Sequence, residues 1–220
     1  LSESAGFNLT GRITGLPYYV DKGKIFLHLG LSYSRQFRNN DTDSDVKFRT
    51  RPESRITDQR LVDTGKLLTD RGDRIGIEFA KVLGPLSIQA EYLLALENGS
   101  VDLNFQGYYL YCSYFITGEI HRYKMANGTF TGVVPINNFH PLKGEWGALE
   151  LGLRHSYLDL NDGNIKGGKE RNITAGLNWY LSSKNRFMFN YIRANLEDRD
   201  TPFIDDGSAD IFQVRFQFAY

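Results

Sequence analysis

Apolar and polar residues alternate along most of this chain. At the C-terminus Phe212, Val214, Phe216, Phe218 and Tyr220 alternate with Gln213, Arg215, Gln217 and Ala219. An extended chain of that pattern has one apolar and one mostly polar face. Ile173, Ala175, Leu177, Trp179 and Leu181 alternate in the same way with Asn172, Thr174, Gly176 and Asn178. Leu149, Leu151, Leu153 and Tyr157 alternate with Glu150, Gly152, Arg154 and Ser156, with His155 interrupting the apolar face. The pattern predicts nine strands, near 7–16, 24–35, 73–82, 85–96, 103–117, 146–160, 171–181, 185–195 and 210–220. Nothing between them has the period of a long amphipathic helix. At about 9–15 residues each, these strands exceed the five or six usual in a soluble sheet and match a tilted strand crossing a bilayer.

The connections sharpen this picture. Residues 82–85 and 182–185 read as tight turns, and 97–102, 161–170 and 196–209 as longer polar links. Membrane barrels alternate short turns on one side with long loops on the other. With the C-terminus on the short-turn side, both tight turns fall there. Residues 36–71 then leave and return on the long-loop side, and 118–145 form an unusually long segment on the short-turn side. The stretch 46–55, VKFRTRPESR, lies within the first of these segments. Its Lys47, Arg49 and Arg51 sit two apart, so an extended backbone sets three cations on one face.

Composition changes the picture little. Lys plus Arg equals Asp plus Glu at 26 each, so net charge is zero and a general nucleic-acid binder is disfavoured. One cysteine, Cys112, permits no internal disulfide. It falls on an apolar face with Leu110, Tyr114 and Ile116 and reads as a small hydrophobe. A mean hydropathy of −0.39 suits a water-soluble chain. An alternating membrane barrel averages equally low, so that class stays open. No run of about 20 apolar residues exists to form a membrane helix. The chain begins Leu1-Ser2-Glu3-Ser4, without a signal peptide, and is expected to be a mature or truncated form. The four histidines lack zinc spacing, no catalytic constellation stands out, and no cofactor is expected. The turn 161–164 lacks a calcium-loop ligand pattern.

Several stretches resemble the phosphate-selective porin O and P family: IFLHLGLSYS (25–34), RTRP (49–52), PLSIQAEY (85–92), GYYLYCSYFITGE (107–119), GALELGLRHSYLDLND (147–162) and RNITAGLNWY (171–180). The resemblance implies an all-β fold, an antiparallel transmembrane β-barrel of sixteen strands in the bacterial outer membrane, generally a homotrimer, that passes small anions by diffusion. The whole chain, 1–220, would then be the C-terminal part of one barrel domain, about nine strands without the N-terminal ones or their constriction loop. The family also folds an arginine-bearing outer loop and a lysine-bearing periplasmic connection into its lumen, which match 36–71 and 118–145. Its arginine ladder lands on Arg49 and Arg51, and its periplasmic lysine on Lys124. Where phosphate-selecting members carry another Arg after the proline, this chain has Glu53, with Arg55 offset. Where they carry a lysine before the periplasmic proline, it has Val134. Both departures weaken selectivity for phosphate in particular and leave a general preference for anions, phosphate and polyphosphate among them.

The expected anion path therefore comprises Lys47, Arg49, Arg51, Arg55, Lys124, Arg154, Arg186 and Arg215. Alternation also turns Arg12, Glu78, Glu91 and Glu150 toward the lumen. The bland alternative pairs Arg49 and Arg51 with loop acids such as Asp43, Asp45 and Glu53, and pairs Arg154 and Arg186 with glutamates across the barrel. The apolar strand faces would meet outer-membrane lipid. Phe218 and Tyr220 resemble the terminal aromatic signal read by the barrel assembly machinery. A large soluble β-sandwich, a non-conducting structural or adhesion barrel and an outer-membrane barrel enzyme are the other readings of the same pattern.

Overall fold

The computed structural model of the chain describes residues 6–38, 45–54, 58–199 and 206–219. Nine long strands are present: β1 Phe7–Val20, β2 Ile25–Phe37, β3 Leu67–Leu83, β4 Leu86–Gly99, β5 Leu103–Phe115, β6 Ala148–Asp162, β7 Ile165–Tyr180, β8 Asn185–Arg199 and β9 Gly207–Phe218. They form one antiparallel sheet in which each strand pairs with its neighbours in sequence. β1 and β9 are the two edges, each paired on one side only. The described residues contain no helix long and apolar enough to cross a membrane.

The two sides of this sheet are inverted relative to a water-soluble protein. Leu151, Leu153, Ile173, Phe212, Val214 and Phe216 are exposed, Phe212 at 77%, whereas Glu150 on the opposite side is 1% exposed. Leu149 and Leu177 lie on the same apolar side and are half-buried. The predicted strand register therefore holds. An apolar face this extensive is far larger than a soluble monomer tolerates. It suits a hydrocarbon surround, in which a lipid-facing strand alternates apolar-out and polar-in.

The polar face is partly covered. Loop residues Val46, Phe48, Leu61 and Val62 pack at the long-loop end against Leu67, Leu103, Phe105, Leu160 and Leu196. At the short-turn end Val133 joins Phe115, Ala148 and Tyr180. Near the first cluster, Glu97 is fully enclosed and takes Arg38 at 2.6 Å and Arg74 at 2.5 Å, with the Thr69 hydroxyl donating at 2.8 Å.

Four strand limits differ most from the sequence reading. β1 continues past Pro17 because a register shift between Gly15 and Tyr18 takes the proline out of pairing, which an edge strand tolerates. β3 and β7 begin at Leu67 and Ile165, earlier than expected, and β8 runs on to Arg199. Residues 161–170 are accordingly no long link. Asp162 pairs directly with Ile165, and Gly163, at φ +52°, supplies the left-handed turn between them.

Candidate functional site

The loop between β2 and β3 folds back onto the polar face. Two short pairings hold its stem: Asp45 and Val46 against Leu68 and Leu67, and Arg49 and Thr50 against Asp63 and Val62. Between them the chain alternates. Phe48 stacks toward Phe105, with ring centroids 5.3 Å apart, and the Arg74 guanidinium lies 4.9 Å from its centroid. Lys47 and Arg49 point the other way, are exposed, and have no side-chain partner among the described residues. Lys47 and Arg49 thus stand off the wall on either side of the docked Phe48.

Arg51 is half-buried and donates to Asp58 at 2.6 Å. Its pairing within the loop agrees with the bland reading in kind, though with a different acid from those anticipated. Arg55 and Asp43 lie outside the described residues. Among the described residues, Glu53 pairs with neither Arg49 nor Arg51. It sits at φ +46°, a left-handed conformation uncommon for a residue with a side chain, and reaches the wall. Its carboxylate accepts from the Ser156 hydroxyl at 2.6 Å and the Thr174 hydroxyl at 2.7 Å. Arg154 approaches it at 3.2 Å.

Arg154 and Thr174 face each other across β6 and β7. The Arg154 guanidinium also lies 4.8 Å from the Tyr109 ring centroid. Tyr109 and Arg154 line a cleft of about 350 Å³ with Thr50, Arg51, Glu53, Glu91, Ser156 and Glu170, and Thr174 lines an adjoining one that also holds Glu53 and Arg154. The Nε atoms of Arg51 and Arg154 are enclosed without hydrogen-bond partners among the described residues. A guanidinium keeps its charge and donates in a planar fork.

The connection between β5 and β6 also lies on the polar face. His28 Nδ1 is hydrogen-bonded to the Tyr123 hydroxyl at 2.6 Å, and Phe130 packs 5.8 Å from Phe26. Arg12 reaches the Asn127 carbonyl at 3.2 Å while its guanidinium pairs with Glu78. His121 Nε2 meets Glu150 at 2.9 Å. Part of this connection packs against the sheet: of its apolar residues, Val133 is buried and Phe130 half-buried. Val134 and Ile136 are exposed. Lys124 is exposed on this connection.

The remaining predicted cations separate. Arg186 donates to Gln217 at 3.0 Å and to the Tyr180 hydroxyl at 3.3 Å, which in turn donates to Glu150. It is thus tied into a wall network near the short-turn end. Arg215 is exposed on the edge strand β9, on the side of Gln213 and Gln217. Phe218 is exposed, and Tyr220 lies outside the described residues.

The sequence has relatives among known proteins. A family model for phosphate-selective porin O and P matches residues 3–220. A Caulobacter vibrioides protein, named only as an uncharacterized protein, is 34% identical over 192 residues, covering 86% of this chain and 37% of that protein. Porin O of Pseudomonas aeruginosa is 30% identical over 158 residues, covering 66% of this chain and 34% of that protein. The chain spans about a third of the length of these curated relatives.

Proposed function

The chain belongs to the phosphate-selective porin O and P family, and from that premise we propose that it forms part of the wall of an outer-membrane barrel through which small anions diffuse passively. The single observation that carries this reading is the alternation in 46–51. It seats Val46 and Phe48 against the wall and leaves Lys47 and Arg49 exposed on the polar side. Cations ranged along a low-dielectric wall focus their field and raise the local anion concentration. A row of weak, similar sites lets an anion move on without being trapped.

The sites differ in weight. Lys47, Arg49 and Lys124 are exposed. Arg51 shares its charge with Asp58, and Arg154 shares its own with Glu53. Arg186 and Arg215 contribute field near the short-turn end, and Arg55 would extend the row. With Glu53 set among these cations, the lining favours anions in general over phosphate in particular. Closure of the wall by further strands, assembly as a homotrimer, and insertion through Phe218 and Tyr220 by the barrel assembly machinery complete the reading.

Reversal potentials in a salt gradient across planar bilayers test it. Replacing Arg49 and Arg51 together with alanine is expected to lower the anion-over-cation permeability ratio. The loss should be larger for Arg49→Ala alone than for Arg51→Ala, and should fade near 1 M salt, where the Debye length is about 3 Å. An unchanged ratio in the double variant would overturn the assignment, and a protein that carries no current would instead be a structural barrel.

A further inference from the structure

We propose that Glu53 is a tethered counter-anion: its carboxylate fills an oxyanion site on the wall, latching the outer loop down and cancelling one lumenal cation. The inference rests on the porin reading for its electrical consequence, but the latch is argued from geometry alone. Two hydroxyls, Ser156 and Thr174, donate to the two carboxylate oxygens, and a guanidinium, Arg154, supplies the charge. This donor set, two neutral O–H groups around one fork-shaped cation, is one that suits a carboxylate or phosphate oxygen pair. Here it is occupied by the chain itself.

Three further observations support an occupied site over a casual surface contact. The Glu53 side chain is only 18% exposed. Its backbone holds a left-handed conformation, φ +46°, of the kind that persists only where surrounding contacts over-determine it. Pro52 and Ser54 on either side are buried, and the Gln213 amide reaches the Glu53 carbonyl at 3.4 Å, so the loop tip engages strands β6, β7 and β9 together. Glu91 and Glu170 line the same cleft. They would repel a third carboxylate there unless Arg154 held it. Arg154 itself is not saturated, since its Nε has no hydrogen-bond partner among the described residues.

Two consequences separate this role from a purely structural one. Neutralising Glu53 uncovers the charge on Arg154, so the pore becomes more anion-selective. It also releases the loop. Removing the two hydroxyls while keeping Glu53 weakens the latch without adding net positive charge. The tests use the full-length protein. In planar bilayers, Glu53→Gln is expected to raise the anion-over-cation permeability ratio by about threefold, the scale of one accessible ion pair. The double variant Ser156→Ala with Thr174→Ala should leave that ratio nearly unchanged. Both variants should be cut by trypsin after Lys47 and Arg49 at least several times faster than wild type. Native heat-modifiable mobility on gels would show that the barrel remains folded.

If Glu53→Gln is folded, conducts anions, and keeps the wild-type ratio, Glu53 is no counter-anion and the proposal falls. Equal trypsin rates in wild type and both variants would remove the latch. Should Glu53→Gln fail to fold, the hydroxyl double variant still decides the latch by proteolysis. A wild-type protein without current would sink the porin reading and with it the electrical role, while the trypsin comparison would still decide the latch.

Discussion

Glu97 shows what a single enclosed carboxylate does in this wall. It meets Arg38, whose side chain is 6% exposed, and Arg74, whose side chain is 32% exposed. Truncation would leave a buried cation without its counter-charge, which typically costs about 3–5 kcal/mol. Glu97→Ala is expected near the lower end, because Arg74 can turn to water. Glu97→Gln should lose less, since its amide oxygen still accepts. Urea unfolding of the reconstituted protein checks both. The charges of such residues were legible in the sequence, but their partners were not. Glu53 read as a departure from a family pattern or as a partner for nearby arginines. Its actual contacts lie 103 and 121 positions away, and no local spacing encodes a separation of that size.

At the scale of elements, the strands were legible wherever one side faces an apolar medium and the other does not. That contrast produces the period of two. It fades at the long-loop end, where Thr69, Asp70 and Arg71 on β3, and Lys166, Lys169 and Glu170 on β7, are polar on both sides. The strands nonetheless continue there, held by backbone pairing. The inward connection was legible from its length and from the family resemblance. Which of its apolar residues dock was not, because Val133 and Val134 are the same residue type and differ only in which way they point. The docking rests on few contacts, so it should be easy to loosen. Replacing Phe130 and Val133 together with alanine is expected to speed cleavage of 118–145 by a protease on the short-turn side about tenfold. The sheet should remain intact by circular dichroism. Unchanged cleavage would mean that the polar contacts of His28, Arg12 and His121 suffice.

At the scale of the whole molecule, the inversion of burial governs stability. Leu153 lies mid-strand on the bare apolar face, 57% exposed. Leu153→Arg is expected to cost about 2–4 kcal/mol when the protein is folded into liposomes, as a charge near the bilayer midplane does. Val101→Arg, in the link between β4 and β5, should change stability by less than about 0.5 kcal/mol. In a water-soluble sandwich an already exposed Leu153 would accept arginine with little loss, so equal effects at the two sites would contradict a lipid-facing side.

The path of the chain through the sheet also sets a schedule for its assembly. Each strand pairs with the one made just before it, so the wall can grow hairpin by hairpin without threading. The two inward segments keep different time. Arg12 and His28 must wait for Tyr123 and Asn127, and the loop carrying Glu53 must wait for Thr174, a further 121 positions along. A wall that curled shut as fast as its hairpins formed would exclude its own lining, so strand pairing has to run ahead of curvature until the late partners arrive.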